Sequence, residues 1–194
     1  MDDFRRQQRE PGNPGNIRHI FADGPGEFLD IGGVNYWASH AATEMWSKWD
    51  ADVVDRDFSE LEKYGVSMLR VFPQWPDFQP LKSISCAGQC VPFDLRREGS
   101  EERFPDTEAG RAGVDETMME RFETLCDLAE KHHMKLIVCI LTAHMTFRLY
   151  VPHAFEGRDL YLDPQGFEVG REVLPLFCQA HEASPRDRRL GIRQ

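Results

Sequence analysis

No apolar run in the chain approaches the roughly 20 residues of a membrane-spanning helix, which excludes an integral helical membrane protein. The opening stretch, MDDFRRQQREPGNPGN, lacks the apolar centre of a secretory signal. Residues 1–27 therefore read as a flexible polar lead-in, and the cytoplasm is the default compartment. Positive charge is scarce: 23 Lys and Arg against 33 Asp and Glu leave a net charge of -10. A general nucleic-acid binder neutralises phosphates with clustered cations, so that class is excluded and an uncharged ligand fits better. No glycine-rich phosphate loop follows a strand-like segment, which disfavours a doubly wound nucleotide-binding domain. Cysteine is sparse and odd in number, at five. Cys126, Cys139 and Cys178 lie in apolar surroundings that suit reduced, buried thiols, whereas Cys86 and Cys90 could pair. Neither a second cysteine pair nor a spaced histidine pair completes a zinc site, so no metal and no organic cofactor is expected.

What is present is an alternation of β-like and helix-like segments. Phe28 to Trp37 (FLDIGGVNYW) is a β-rich run broken by paired glycines. Val54, Phe58 and Leu61 then recur at helical spacing, and Gly65 supplies the left-handed stop. Val66 to Phe72 is a second strand. A second helix runs from about Asp115 to His133, with Met118, Phe122, Leu125 and Ala129 on one face. Lys135 to Thr142 is nearly free of polar residues, the pattern of a parallel strand covered by helices on both sides.

Strands joined by helices imply parallel pairing through βαβ crossovers, in an open sheet or in the first units of a barrel. The connection from Pro73 to Val114 is far longer than the usual βα loop, and so is the aromatic-rich segment after the third strand. Both leave the C-terminal ends of strands, where α/β folds place their sites. A helix is expected around Leu174, Phe177, Cys178 and His181, starting or kinking at Pro175. Residues 183–194 are basic, lack a strand pattern and read as foreign to the fold. The domain proper is thus expected over residues 28–182.

Five residues at or just past strand ends carry the chemistry: Asn35, Trp37, Arg70, Trp75 and His144. Flat indole faces suit the C–H faces of sugar rings, and all the tryptophans, Trp37, Trp46, Trp49 and Trp75, crowd one region. The plainer alternative for any one of them is core packing. Arg70, inside LRVFPQWPDFQP, is the sharper signal, because a guanidinium on an apolar strand can hold a carboxylate by paired hydrogen bonds. A structural ion pair is the competing reading. His132 and His133, being adjacent, point to different helix faces and favour a helix C-terminus over metal. His40 and Glu44 share helical spacing but lack further ligands.

GVNYW, DFSELEKYGVSMLRVFPQWPDFQP and LIVCILTAHMT together resemble the opening of a glycoside hydrolase family 5-type sequence, in the cellulase and endo-β-mannanase clan of (β/α)8 barrels. The resemblance covers roughly Phe28 to Ala180. It implies an α/β fold forming an incomplete (β/α)8 TIM barrel of about three βα units with long βα loops, since a complete barrel needs roughly 250 residues. It further implies that Arg70 orients the nucleophilic glutamate, that Asn35, Trp37 and Trp75 line sugar subsites, and that His144 lies near the end of the third strand. The implied partner is a β-linked oligosaccharide or polysaccharide, cleaved by double displacement without a cofactor.

One departure stands against the family pattern. The family's acid/base glutamate follows strand 4 in an Asn-Glu dipeptide, and this sequence contains no Asn-Glu and no recognisable fourth strand. The chain alone is therefore expected to be inactive, with neither catalytic glutamate retained. The alternative is a non-catalytic carbohydrate-binding or half-barrel interaction module, self-associating through exposed sheet edges.

Overall fold

The computed structural model describes residues 32–85, 94–99, 103–140, 142–145, 147–159 and 162–182. The lead-in over 1–27, Phe28, Cys86, Cys90 and the tail 183–194 lie outside them.

Three short parallel strands form the central sheet in the order β1 (Gly33–Asn35), β2 (Met68–Val71) and β5 (Lys135–Val138). Helix α1 (Ala51–Lys63) links β1 to β2, and α4 (Glu116–Lys131) precedes β5. The two helices begin and end where sequence chemistry directs. Asp50 accepts hydrogen bonds from the Asp52 and Val53 amides, and Asp115 accepts one from the Met118 amide, so both are side-chain N-caps. At the other end of α1, Gly65 sits at φ +76, and the Gly65 and Val66 amides reach back to the Glu62 and Leu61 carbonyls. That is a Schellman cap, and its left-handed residue costs glycine nothing. Helix α4 closes the same way, but with His133 at φ +55 in the left-handed position.

One face of the sheet is packed. Leu69 and Val71 are fully buried against Val54 and Phe58 of α1, Phe122 and Leu125 of α4, and Phe177 of α6 (Leu174–Glu182). Pro175 falls in the first turn of α6, where its missing N–H is harmless, so the helix starts there without a kink. The opposite face is not covered among the described residues: Asn35, Arg70, Lys135 and Ile137 are all exposed. Lys135–Thr142 was expected to be buried on both sides. Instead the strand ends at Val138, with Ile137 46% exposed. The apolar run reflects a strand suited to two-sided burial, but helices lie on only one side of it.

The described parts of the long segment after β2 are folded. It contains α2 (Trp75–Phe78), an antiparallel hairpin of β3 (Leu81–Ser85) with β4 (Asp94–Arg97), and α3 (Glu108–Arg111). Leu81 and Leu95 of the hairpin join Trp75, Phe155 and Val169 in a second, smaller core. Val169 belongs to α5 (Pro164–Arg171), a helix absent from the sequence reading, which has Pro164 at its first position. Gly113, at φ +68, lies where a Cβ would come within 2.7 Å of Leu81 and 2.8 Å of Leu95, so glycine there lets the chain pass under the hairpin. A two-residue antiparallel ladder joins β6 (His144–Met145) to β7 (Arg148–Leu149). No described helix is long and apolar enough to cross a membrane.

Candidate functional site

Parallel register decides what meets at the sheet's C-terminal end. Asn35 pairs with Arg70, and Arg70 with Ile137, so these residues form one row across the open face. Beyond it, the Tyr36 amide still bonds to the Arg70 carbonyl at 2.9 Å, and the Cys139 amide to Val71 at 2.9 Å, carrying the sheet one residue further on both sides.

Arg70 is exposed, which corrects the expectation of a guanidinium among buried neighbours. Its Nε donates to Cys139 Sγ at 2.8 Å, and its planar head lies 5.0 Å from the centre of the Phe72 ring. Trp37 stacks on the same Phe72 at 5.0 Å with the planes 14° apart. The buried Phe72 is thus a shared floor for Trp37 and Arg70, and it fixes both side chains beside the Asn35 row. The segment carrying Trp37 is tied down by Asp57 of α1. Asp57 accepts from the Tyr36 hydroxyl at 3.0 Å, the Ser39 hydroxyl at 2.7 Å and the Ser39 amide at 2.8 Å. Burial, then the Asp57 charge and hydrogen bond, push the Tyr36 hydroxyl well above the usual phenol range, so it remains a neutral donor. The signal for this anchor was in the sequence, as an acid on the inner flank of α1, but nothing local named its partners.

The other tryptophans divide differently. Trp46 is fully buried at the centre of the main core, donating to the Phe72 carbonyl at 2.9 Å, with Trp49 stacked beside it and Phe78 edge-on. It offers no face to a ligand, so for Trp46 core packing holds in place of sugar stacking. Trp75 is 7% exposed, tilted against Phe155 at 5.0 Å, with its indole N–H on Gln79 Oε1 at 2.7 Å. Gln79 is itself fully buried and donates onward to the Ala112 and Val169 carbonyls at 2.7 and 3.2 Å. This network, rather than an open subsite, is what Trp75 occupies.

His144 is exposed on β6, outside the parallel sheet. It still follows the strand end closely. An isolated bridge pairs Gln74 with Thr142, and the Trp75 amide donates to the Thr142 carbonyl at 3.2 Å, so the segments leaving β2 and β5 run together before His144. The cysteine expectation changes too: Cys126 and Cys139 are only half-buried and Cys178 is exposed.

Neither Glu44 nor Glu156 resembles a catalytic acid. Glu44 lies 2.6 Å from Lys48, whose bond and charge hold its carboxyl below the usual range, and Glu156 lies 3.3 Å from His153 on an exposed turn. The half-buried Asp77 of α2 has a raised affinity for its proton. Burial, helped by the Glu44 charge and opposed by Arg121, pushes it up to about 6. No group of three or more His, Cys, Asp or Glu side chains placed to hold a metal occurs among the described residues.

No family model and no curated protein matches the chain. Solved structures do. A variant of GH5_18 from Streptomyces cattleya, in complex with Manβ1-4GlcNAc, superimposes with TM-score 0.60 at 23% identity, over 79% of this chain and 31% of that one. An exo-β-1,4-mannosidase from Opitutaceae bacterium strain TAV5 gives TM-score 0.63 at 20% identity, over 90% and 25%. GH5_18 from Bifidobacterium longum gives 0.59 at 18%, over 79% and 30%. The fold is an incomplete (β/α)8 barrel. The chain spans less than a third of the length of these barrels, and its three parallel strands correspond to a part of theirs without closure. In a closed barrel the row Asn35, Arg70 and Ile137 faces inward, toward the axis on whose C-terminal side such folds build their sites.

Proposed function

We propose that the chain is part of a β-glycoside hydrolase acting on O-glycosyl bonds of mannan- or glucan-type sugars, with sugar-binding residues but without the catalytic carboxyl pair. The observation carrying this reading is the row of Asn35 and Arg70 at the sheet's C-terminal end, with Trp37 stacked beside it on the ring that also underlies Arg70. A flat indole, a fork of charge-assisted donors and a primary amide are suited to a pyranose: the ring offers its C–H face to the indole and its hydroxyls to the polar groups. In a completed barrel Arg70 would position the nucleophilic carboxylate, its guanidinium steadied by Cys139 and Phe72. Retaining hydrolysis needs two carboxyls about 5–5.5 Å apart, one as nucleophile and one as acid/base. The chain has no Asn-Glu, and Glu44 and Glu156 are engaged elsewhere.

Two measurements test this. Titration with Manβ1-4GlcNAc and β-1,4-manno-oligosaccharides should show weak binding that Trp37→Ala and Arg70→Ala abolish while the fold is retained. Turnover of aryl β-glycosides should be absent. Hydrolysis lost in Glu44→Gln or Glu156→Gln would overturn the inactive reading, and binding unchanged in Trp37→Ala would overturn the site.

The second reading, a non-catalytic half-barrel module that completes its sheet through a partner or a second copy, is favoured by one observation. Val34 and Ile137, on the outer strands of the sheet, are 38% and 46% exposed. Sedimentation distinguishes it: concentration-dependent association weakened by Ile137→Lys supports the module, and a monomer at all concentrations removes it.

A further inference from the structure

The C-terminus of α4 carries an ion cluster that the sugar-binding reading does not use. His132, the C-cap of that helix, has only 9% of its side chain exposed and lies edge-on to Phe58 of α1. Both ring nitrogens meet carboxylates on α1: Nε2 lies 2.7 Å from Asp55 Oδ1, and Nδ1 lies 3.0 Å from Glu62 Oε2. Lys131, next in the chain, places its ammonium 2.7 Å from each Asp55 oxygen. Among the described residues, Asp55 and Glu62 are the charged groups paired with this imidazole, and Lys131 is paired with Asp55.

A neutral imidazole has one N–H and one lone pair. With acceptor-only carboxylates on both sides, either tautomer would turn a ring lone pair onto a carboxylate oxygen at hydrogen-bond distance. Only the doubly protonated ring satisfies both contacts. We propose that His132 is a proton-operated clamp: as imidazolium it bridges Asp55 and Glu62 and fastens α1 to the end of α4, and on losing its proton it releases one of the two carboxylates. Lys131 continues to hold Asp55, so release falls on the Glu62 side.

Helix α1 also carries Asp57, the anchor of the Tyr36–Ser39 segment. Burial opposes the charge on His132, but the hydrogen bonds and attraction of Glu62 and Asp55 outweigh it, and the imidazole's affinity for its proton is raised above the ordinary 6.5. The folded state therefore binds more protons than the unfolded chain just above pH 6.5. The clamp's stabilisation is complete below that value and is lost as pH rises through the folded pKa. Asp55 is shifted the other way, its carboxyl lowered by bonds to Lys131 and His132, so its contribution is lost only in acid, a separate window.

The test is a 15N-detected titration of the imidazole nitrogens in the full chain, alongside thermal unfolding of the parent and of His132→Gln between pH 5.5 and 9. Expected are two protonated ring nitrogens at pH 6.5, a His132 midpoint above that of free histidine, and a Tm gap between parent and variant that narrows as pH rises. A single protonated ring nitrogen at pH 6.5, or a Tm gap independent of pH, would overturn the clamp. The nitrogen titration decides the matter even if His132→Gln fails to fold.

Discussion

The two faces of the central sheet are built from the same three strands, yet obey opposite rules. On the helix-covered face Leu69 and Val71 are sealed under α1, α4 and α6. On the other, alternate positions of the same strands put Asn35, Arg70 and Ile137 into solvent. A strand's period of two makes this division automatic, and a shift of one residue would exchange the faces. Stability therefore resides on one side of the backbone, while the side chains suited to a ligand stand on the other, where substitution costs the fold little.

The strongest way to break this contrast is to truncate both faces. Phe122→Ala, at a fully buried position, should destabilise by about 3–5 kcal/mol in urea unfolding. Ile137→Ala should stay within about 1 kcal/mol of the parent. Equal costs would mean that the open face is covered by something else.

The next effect belongs to the smaller core. Gln79→Leu strands the Trp75 N–H and the Ala112 and Val169 carbonyls in an apolar setting, and should cost about 3 kcal/mol. An indole N–H that exchanges as slowly in the variant as in the parent would show that the network has another donor or acceptor in reserve.

Asp77 should behave in the opposite sense. Its folded pKa of about 6 exceeds the ordinary 3.8, so the folded state holds the proton more tightly and loses stability as pH rises between those values. Asp77→Asn should stabilise the protein by about 1–2 kcal/mol at pH 7.5, allowing for partial solvent screening, with the gain gone near pH 3.5. A gain independent of pH would assign it to packing instead.

The smallest effect concerns the end of α4. His133 is exposed at φ +55, where a β-carbon is strained, so His133→Gly should stabilise by up to about 1 kcal/mol in chemical denaturation. A loss of stability would mean that the His133 side chain itself supports the helix end.

What the sequence alone determined was local and periodic. Val54 and Phe58 on α1, and Phe122, Leu125 and Ala129 on α4, were legible because a 3.6-residue repeat needs only its own neighbours to show a face. The Asp50 and Asp115 caps and the Gly65 stop follow from the same short-range chemistry. So did Asn35 and Arg70 at the strand ends, and the order strand, helix, strand, helix, strand. Only the tertiary structure decided which aromatic faces are spent. Trp37, Trp46 and Trp75 share a composition and a neighbourhood in the chain, but Trp46 fell under Phe78 and Trp75 under Phe155, while Trp37 landed at the rim on Phe72. An indole suits a core and a sugar equally well, so its fate depends on which distant element arrives over it. The hairpin of β3 and β4 was hidden for a related reason: Leu81 and Leu95 share a core with Phe155 and Val169, which lie far along the chain. Likewise the Lys135–Thr142 run encodes a strand apolar on both faces, but whether the second face is covered is set by what packs against it, a property no local pattern contains.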